Sequence, residues 1–277
     1  MTDSPIPLAG VIGSPISHSR SPQLHTHWLR SMGLRGFYIP MDVGSSDLAE
    51  VLRFLPKAGF VGVNITVPHK EKALEIADLI TDRAALIGAA NTLIFRKDGK
   101  IHADNTDGYG FIENLRQGAP EWYPAKGPTA VFGAGGAARA VVASLLDVGV
   151  PKVYIANRTR IRAETLQAEF GKRLHVVDWV QAGNIVEDCT TVVNTTSLGM
   201  VGKPPLRVPL DGLQKGTVVT DLVYAPLQTE FLRTAQDMGC VTVDGLGMLL
   251  HQAVPAFERW FGQRPTVDET TRAAVLR

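Results

Sequence analysis

Three short polar clusters in this chain have the composition of reacting groups. In VNITVPHKEK (63–72), Asn64 and Thr66 lie two residues apart on one face of an apolar alternating run, and Lys70 follows the proline that stops it. DNTDG (104–108) offers two aspartates, and PISHSRSP (15–22) offers three serines. A lysine and a carboxylate held together can give a proton to a developing alkoxide or take one from a hydroxyl. A pair of hydroxyls at i and i+2 can bind both oxygens of a carboxylate, and neutral amides and hydroxyls suit a polyol better than charges do. Each cluster alone has an ordinary explanation, because Ser, Asn and Asp are common turn and cap residues and a solvated charge often opens a helix.

A fourth cluster is glycine-rich. GAGGAA (133–138) satisfies G-x-G-x-x-A through Gly133, Gly135 and Ala138. By itself the pattern marks only a tight strand-to-helix turn. Here it follows the apolar run TAVF and opens the helical stretch AARAVVASLLDVG. Gly133 can therefore make the turn, Gly135 can let a pyrophosphate approach the backbone, and Ala138 can pack close to a sheet. The phosphates would meet free N–H groups at a helix N-terminus, where the dipole favours an anion. The next strand, KVYIA, ends in Asn157-Arg158-Thr159, some 25 residues beyond Gly133. No acid stands there to hold a ribose 2′-hydroxyl, while Arg158, Arg160 and Arg162 crowd the position. That charge suits a 2′-phosphate, so the expected cofactor is NADP rather than NAD.

These clusters need elements to hold them. Short β-rich runs alternate with helical patterns: LAGVIG, a helix from about Pro22, GFYIPMDV, a helix after Ser45 and Ser46, FVGVNIT, a helix after Pro68, then ANTLIFR and KIHAD. A second series begins near Thr129, with TAVF, KVYIA, LHVVD, TVVNTT, TVVTDLVY and CVTVD as strands. Such alternation is the mark of βαβ units, so the fold class is α/β, and 277 residues are enough for two domains. The series change over near GYGFIENLRQGAPEWYPAKGP, where an amphipathic segment yields to Pro- and Gly-rich sequence. In the tail LLHQAVPAFERWFGQRP the apolar residues recur at helical spacing, and a return to pack on the first domain is expected.

Composition narrows the partners. With 28 basic and 27 acidic side chains the formal net charge is +1, which gives no general footprint for nucleic acid or an anionic membrane. A small molecule is the expected partner. The N-terminus lacks a basic segment followed by an apolar core, and no apolar run approaches the roughly 18 residues of a membrane span. Cys189 and Cys240 are far apart and in no metal spacing, which points to reduced thiols and a cytoplasmic location. His25 and His27 are i, i+2 on an expected helix and do not face each other, while His102 and His175 stand alone, so no metal site is expected. Oligomeric state is not legible in the sequence, and a homodimer is one candidate.

In order and spacing, PISHSRSP, NITVPHK, GAANT and DNTDG resemble the shikimate dehydrogenase family, and the likeness continues through GAGGAAR, NRT, NTTSLGM, DLVY and DGLGMLLHQA. It covers nearly the whole chain. The resemblance implies a reversible NADP-dependent reduction of 3-dehydroshikimate to shikimate, in the route to chorismate and the aromatic amino acids. It also implies a substrate-binding α/β domain over 1–106 and 246–277, an NADP-binding Rossmann domain over 107–245, and an active-site cleft between them. By the same resemblance Lys70 and Asp107 are catalytic. Ser19 and Ser21 hold the substrate carboxylate with help from Tyr224, and Asn64, Thr66, Asn91 and Gln252 bind ring hydroxyls. The cofactor positions are Gly133, Ala134, Gly135, Gly136, Ala137, Asn157, Arg158, Thr159, Arg162, Leu222 and Gly245, with Asp82, where some members carry glutamate, added to them. His69 stands where an aromatic is more usual, Thr26 where asparagine is frequent, and Leu222 where many members have methionine. Whether Lys70 acts as a base or stays charged and stabilises an alkoxide is open at this level, as is shikimate against quinate. Two other readings are a quinate/shikimate enzyme using NAD and a non-catalytic NADP-binding sensor on the same fold. A scaffolding role has no extra interaction segment to support it.

Overall fold

Two series of apolar runs build two sheets. The computed structural model of the chain describes residues 5–276. Its first series comprises β1 (Leu8–Gly13), α1 (Ser21–Ser31), β2 (Phe37–Asp42), α2 (Leu48–Phe54), β3 (Phe60–Ile65), α3 (Lys70–Ile76), β4 (Leu79–Ile80), α4 (Asp82–Ile87), β5 (Thr92–Phe95) and β6 (Ile101–Asp104). The second comprises α5 (Asp107–Gly118), β7 (Thr129–Phe132), α6 (Gly136–Asp147), β8 (Val153–Ala156), α7 (Arg160–Phe170), β9 (Leu174–Val177), β10 (Thr191–Asn194), β11 (Val218–Asp221), α8 (Glu230–Asp237) and β12 (Val241–Val243). Then follow α9 (Leu246–Phe261) and α10 (Glu269–Leu276). The chain divides into two compact units, one holding the described residues up to Thr106 and those from Gln252 onward, the other Asp107–His251.

The first unit is a mixed six-stranded sheet in the order β2-β1-β3-β5-β6-β4. β1 runs parallel to β2 and β3, whereas β5 is antiparallel to both β3 and β6. Only residues 96–100 join β5 to β6, too few for a parallel crossover, so the pair must form a hairpin. Ile12, Leu52, Val63, Ile65, Leu93 and Ile101 bury one core. On another, Ala256 and Trp260 of α9 pack with Ala9, Val11 and Tyr38, so the tail does return to this unit. Each large apolar side chain so buried contributes about 1.5–3 kcal/mol.

The second unit is an all-parallel sheet in the order β12-β11-β10-β7-β8-β9. The chain moves outward from β7 in one direction and from β10 in the other, which makes the β7/β10 boundary the topological switch point. Here the structure departs from composition. The amphipathic segment at the apparent break is α5, whose Phe111, Ile112 and Leu115 share a core with Val141 and Leu145, so the boundary precedes it. The run TVVTDLVY is also not one strand. β11 stops at Asp221, whose carboxylate accepts the Val223 N–H that a continuing ladder would need. The short β4, α4, α8 and α10 are further elements, and α4 and α8 start on their caps Thr81 and Thr229. Among the described residues Cys189 and Cys240 are unpaired and buried, and no helix is long and apolar enough to cross a membrane.

His25, on α1, is fully buried against Trp28, Tyr38, Phe257 and Trp260. Neither ring nitrogen has a hydrogen-bond partner among the described residues. Burial alone lowers its pKa to about 3. The folded chain therefore keeps the imidazole neutral while the unfolded chain takes up a proton below about pH 6.5, so this part of the stability is complete above that pH and is lost as pH falls toward 3. Urea unfolding of the wild type and of His25→Phe at pH 7 and pH 5 should show an extra loss of about 2 kcal/mol in the wild type at the lower pH.

Candidate active site

Each polar cluster lies where a strand ends. Asn64 is on β3, and its amide is oriented by three partners: Oδ1 accepts from the Tyr38 hydroxyl at 2.7 Å, and Nδ2 donates to Asn91 O at 3.1 Å and Thr92 Oγ1 at 3.2 Å. Asn91, just before β5, donates from Nδ2 to Thr106 Oγ1 at 3.0 Å and to Gln252 Oε1 at 3.1 Å. Its Oδ1 accepts the Thr106 N–H at 2.9 Å, and Thr106 Oγ1 donates to Gln252 O at 2.8 Å. Asn64, Asn91 and Gln252, from three separate stretches of chain, are thus joined in one network. Thr66 follows β3 directly, with its N–H on Ile12 O at 2.9 Å.

Lys70 is the first residue of α3. The turn before it is fixed by His69, which is 1% exposed and has Nε2 on Val43 O at 2.7 Å, so the ring found where an aromatic is usual is both buried and hydrogen-bonded. The Lys70 carbonyl accepts from Ala90 N at 2.9 Å, which ties α3 to the start of the Asn91 stretch. Ser19 is half-buried, its Oγ accepting the Ser21 N–H at 3.3 Å, and Ser21 is buried at the start of α1. Burial raises the Tyr38 phenol well above its usual pKa, against a smaller lowering influence from Ser21.

Beside the Asn91 network lies an ion pair. Asp104, at the end of β6, takes both oxygens' worth of contact from Arg83, with Nε at 2.6 Å, and accepts from Thr81 Oγ1 at 2.9 Å and Asn105 N at 2.8 Å. Burial works against its charge, but the guanidinium, the hydroxyl and the N–H more than offset it and hold the carboxyl below its ordinary range. The result anchors the chain at 104–106, immediately before Asp107, the first residue of α5.

In the second unit, the loop from β7 to α6 is shaped for close approach. Gly133 has φ +108°, and a Cβ there would meet Thr195 Oγ1 at 2.5 Å. Gly135 and Gly136 would point a Cβ into open space, Gly135 caps α6 without any side-chain hydrogen bond, and the first-turn N–H groups are left for a ligand. Ala134 lies within this loop and Ala137 in the first turn. After β8, Asn157 Nδ2 donates to Thr159 O at 2.8 Å. The arginines there divide. Arg160 is held by Glu164 and Asp178, whereas exposed Arg158 and Arg162 have no ion-pair partner among the described residues. An unneutralised pair beside a glycine cradle fits a cofactor with an additional phosphate.

Leu222 follows β11, and Gly245 approaches it so closely that a Cβ would lie 2.4 Å from Leu222 O. Tyr224 is exposed on the same loop. Asp221 beneath them is fully buried, which pushes its carboxyl up to about 6 against the pull of Thr229, Val223 N and Asn194. Asp82 is exposed at the start of α4, in the first unit, while the other proposed cofactor residues are in the second. Residues that the sequence reading missed are Tyr38, Thr92 and Thr106. A tyrosine buried on a strand signals a hydroxyl in need of a partner, which is the one hint Tyr38 gives.

Comparison with known proteins gives consistent matches. Residues 11–93 match the family described as the shikimate dehydrogenase substrate binding domain, residues 125–200 the shikimate / quinate 5-dehydrogenase family, and residues 245–275 the shikimate 5′-dehydrogenase C-terminal domain. A shikimate dehydrogenase (NADP(+)) of Cereibacter sphaeroides is 69% identical over 271 residues, covering 98% of this chain and 97% of that one. Among solved structures, the Thermus thermophilus shikimate 5-dehydrogenase in complex with NADP(H) and shikimate aligns with TM-score 0.86 at 37% identity, over 97% of this chain and 98% of that one. A Corynebacterium glutamicum quinate dehydrogenase in complex with NAD aligns with TM-score 0.89 at 32% identity, over the same shares.

The glycine loop makes a testable distinction. Gly133→Ala must place a side chain at positive φ against Thr195 and should lower the unfolding free energy by about 2 kcal/mol. Gly135→Ala meets nothing and should change it by less than about 0.5 kcal/mol, as compared by thermal denaturation.

Proposed function

The chain belongs to the shikimate dehydrogenase family, and from that premise we propose that the polar network of its first unit binds the substrate ring while Lys70 and Asp107 move the proton. The reaction is the reversible NADPH-dependent reduction of 3-dehydroshikimate to shikimate. The observation that carries the site reading is the joined set Asn64, Asn91 and Gln252. These neutral amides come from three stretches of chain, and side chains of that kind suit a polyol better than charges do.

Ser19 and Ser21 take the substrate carboxylate, assisted by Tyr224, and Thr66 adds a hydroxyl to the ring site. For the cofactor, the N–H groups at Gly133–Ala137 take the pyrophosphate, Asn157 and Thr159 the ribose region, and Arg158 and Arg162 the 2′-phosphate. Leu222 and Gly245 line the site, and Asp82 is a further contact. When bound, NADPH supplies the hydride. At the substrate oxygen the Lys70 ammonium donates a proton as negative charge develops and recovers it in the reverse direction, with Asp107 as the other catalytic residue. Thr106, locked to Asn91 and Gln252, sets the position from which Asp107 starts. The unpaired Cys189 and Cys240 fit a reducing compartment, the cytoplasm.

Shikimate and quinate offered separately with NADP⁺ or NAD⁺ test the assignment. The highest kcat/KM is expected for shikimate with NADP⁺; a preference for NAD⁺ would refute the arginine argument, and a preference for quinate the substrate assignment. Lys70→Ala should bind shikimate with little change yet lose about 10³-fold in kcat, and a kcat within tenfold of wild type would remove its catalytic role.

A further inference from the structure

His25 is a fully buried titratable side chain that the proposed reaction leaves without a task. Its ring lies flat on Tyr38, with centroids 3.9 Å apart and planes at 5°. The Tyr38 hydroxyl donates to Asn64 Oδ1 at 2.7 Å, and Asn64 is a proposed ring-hydroxyl ligand.

We propose that His25 is a positioning residue for the substrate, holding Asn64 in place through the stack on Tyr38. The inference rests on the site reading above. Spinning a tyrosine ring about its own axis leaves the hydroxyl in place, but tilting the ring swings the hydroxyl out of the narrow range in which it can bond Asn64. A flat neighbour blocks the tilt. Trp28 and Trp260 meet the imidazole at larger angles and hold it in turn. The imidazole makes no hydrogen bond, so what it provides is its flat face. An unpaired polar ring is costly in a core, and mere filling of space would be served better by an apolar side chain.

His25→Leu fills the space without a flat face, and His25→Phe keeps the face without the nitrogens. The leucine variant should raise KM for shikimate about tenfold, with kcat changed less than about threefold and KM for NADP⁺ less than about twofold. The phenylalanine variant should stay within about twofold of wild type in all three. In a Tyr38→Phe background, where the hydroxyl is gone, His25→Leu should add less than about twofold to KM. If the leucine variant does not fold, His25→Met serves in its place. The role is overturned by an unchanged shikimate KM, by equal effects of leucine and phenylalanine, or by parallel changes in kcat and NADP⁺ KM. Asn64→Ala separates the two levels: a raised shikimate KM beside an inert His25→Leu removes the positioning role alone, whereas an unchanged KM in Asn64→Ala removes the site reading with it.

Discussion

Asn64, Asn91, Thr92, Thr106 and Gln252 share a single run of buried hydrogen bonds, and the first unit is arranged so that this run can close. Each amide has its oxygen and nitrogen assigned by its neighbours. A member left without a partner would cost about 1–3 kcal/mol, so the network holds one arrangement or none. The antiparallel β5 and β6 are what bring Asn91 and Thr106 together, since a hairpin returns the chain to the end at which it began. The Arg83–Asp104 pair pins the same end, and the Tyr38 hydroxyl holds Asn64. In the proposed polyol site the side chains are thus already oriented by one another, which limits the cost of ordering them on binding.

The second unit solves a different problem with backbone. Gly133 at positive φ turns the chain against Thr195, and the open faces of Gly135 and Gly136 leave N–H groups uncovered at the start of α6. Charge is then settled residue by residue. Of the three neighbouring arginines, one is neutralised by Glu164 and Asp178 and the other two have no ion-pair partner among the described residues. Spacing alone cannot make that distinction, because Asp178 arrives from beyond the next strand.

Features set by neighbours in sequence were legible in the chain. The strand-to-helix glycine loop, the stop at Pro68 before Lys70 and the helical spacing of the tail all follow from local rules, and the family resemblance supplied the roles. Features set by partners distant in sequence were not. Tyr38 reads as one more core aromatic until Asn64, 26 positions away, is found on its hydroxyl. Asp221 reads as mid-strand until its carboxylate is seen to take the Val223 N–H and end the ladder. The amphipathic segment 108–118 reads as the place where the two series change over, whereas Phe111 and Leu115 commit it to the second core.

The ring-binding site proposed for the first unit depends on the buried network that Thr106 completes, and steady-state turnover of shikimate by Thr106→Val tests this most directly. The substitution keeps size and removes the hydroxyl that pairs with Asn91 and Gln252. If the network positions the reacting groups, kcat falls by about 10- to 100-fold while KM for NADP⁺ stays near wild type. A folded Thr106→Val with wild-type kcat would contradict it.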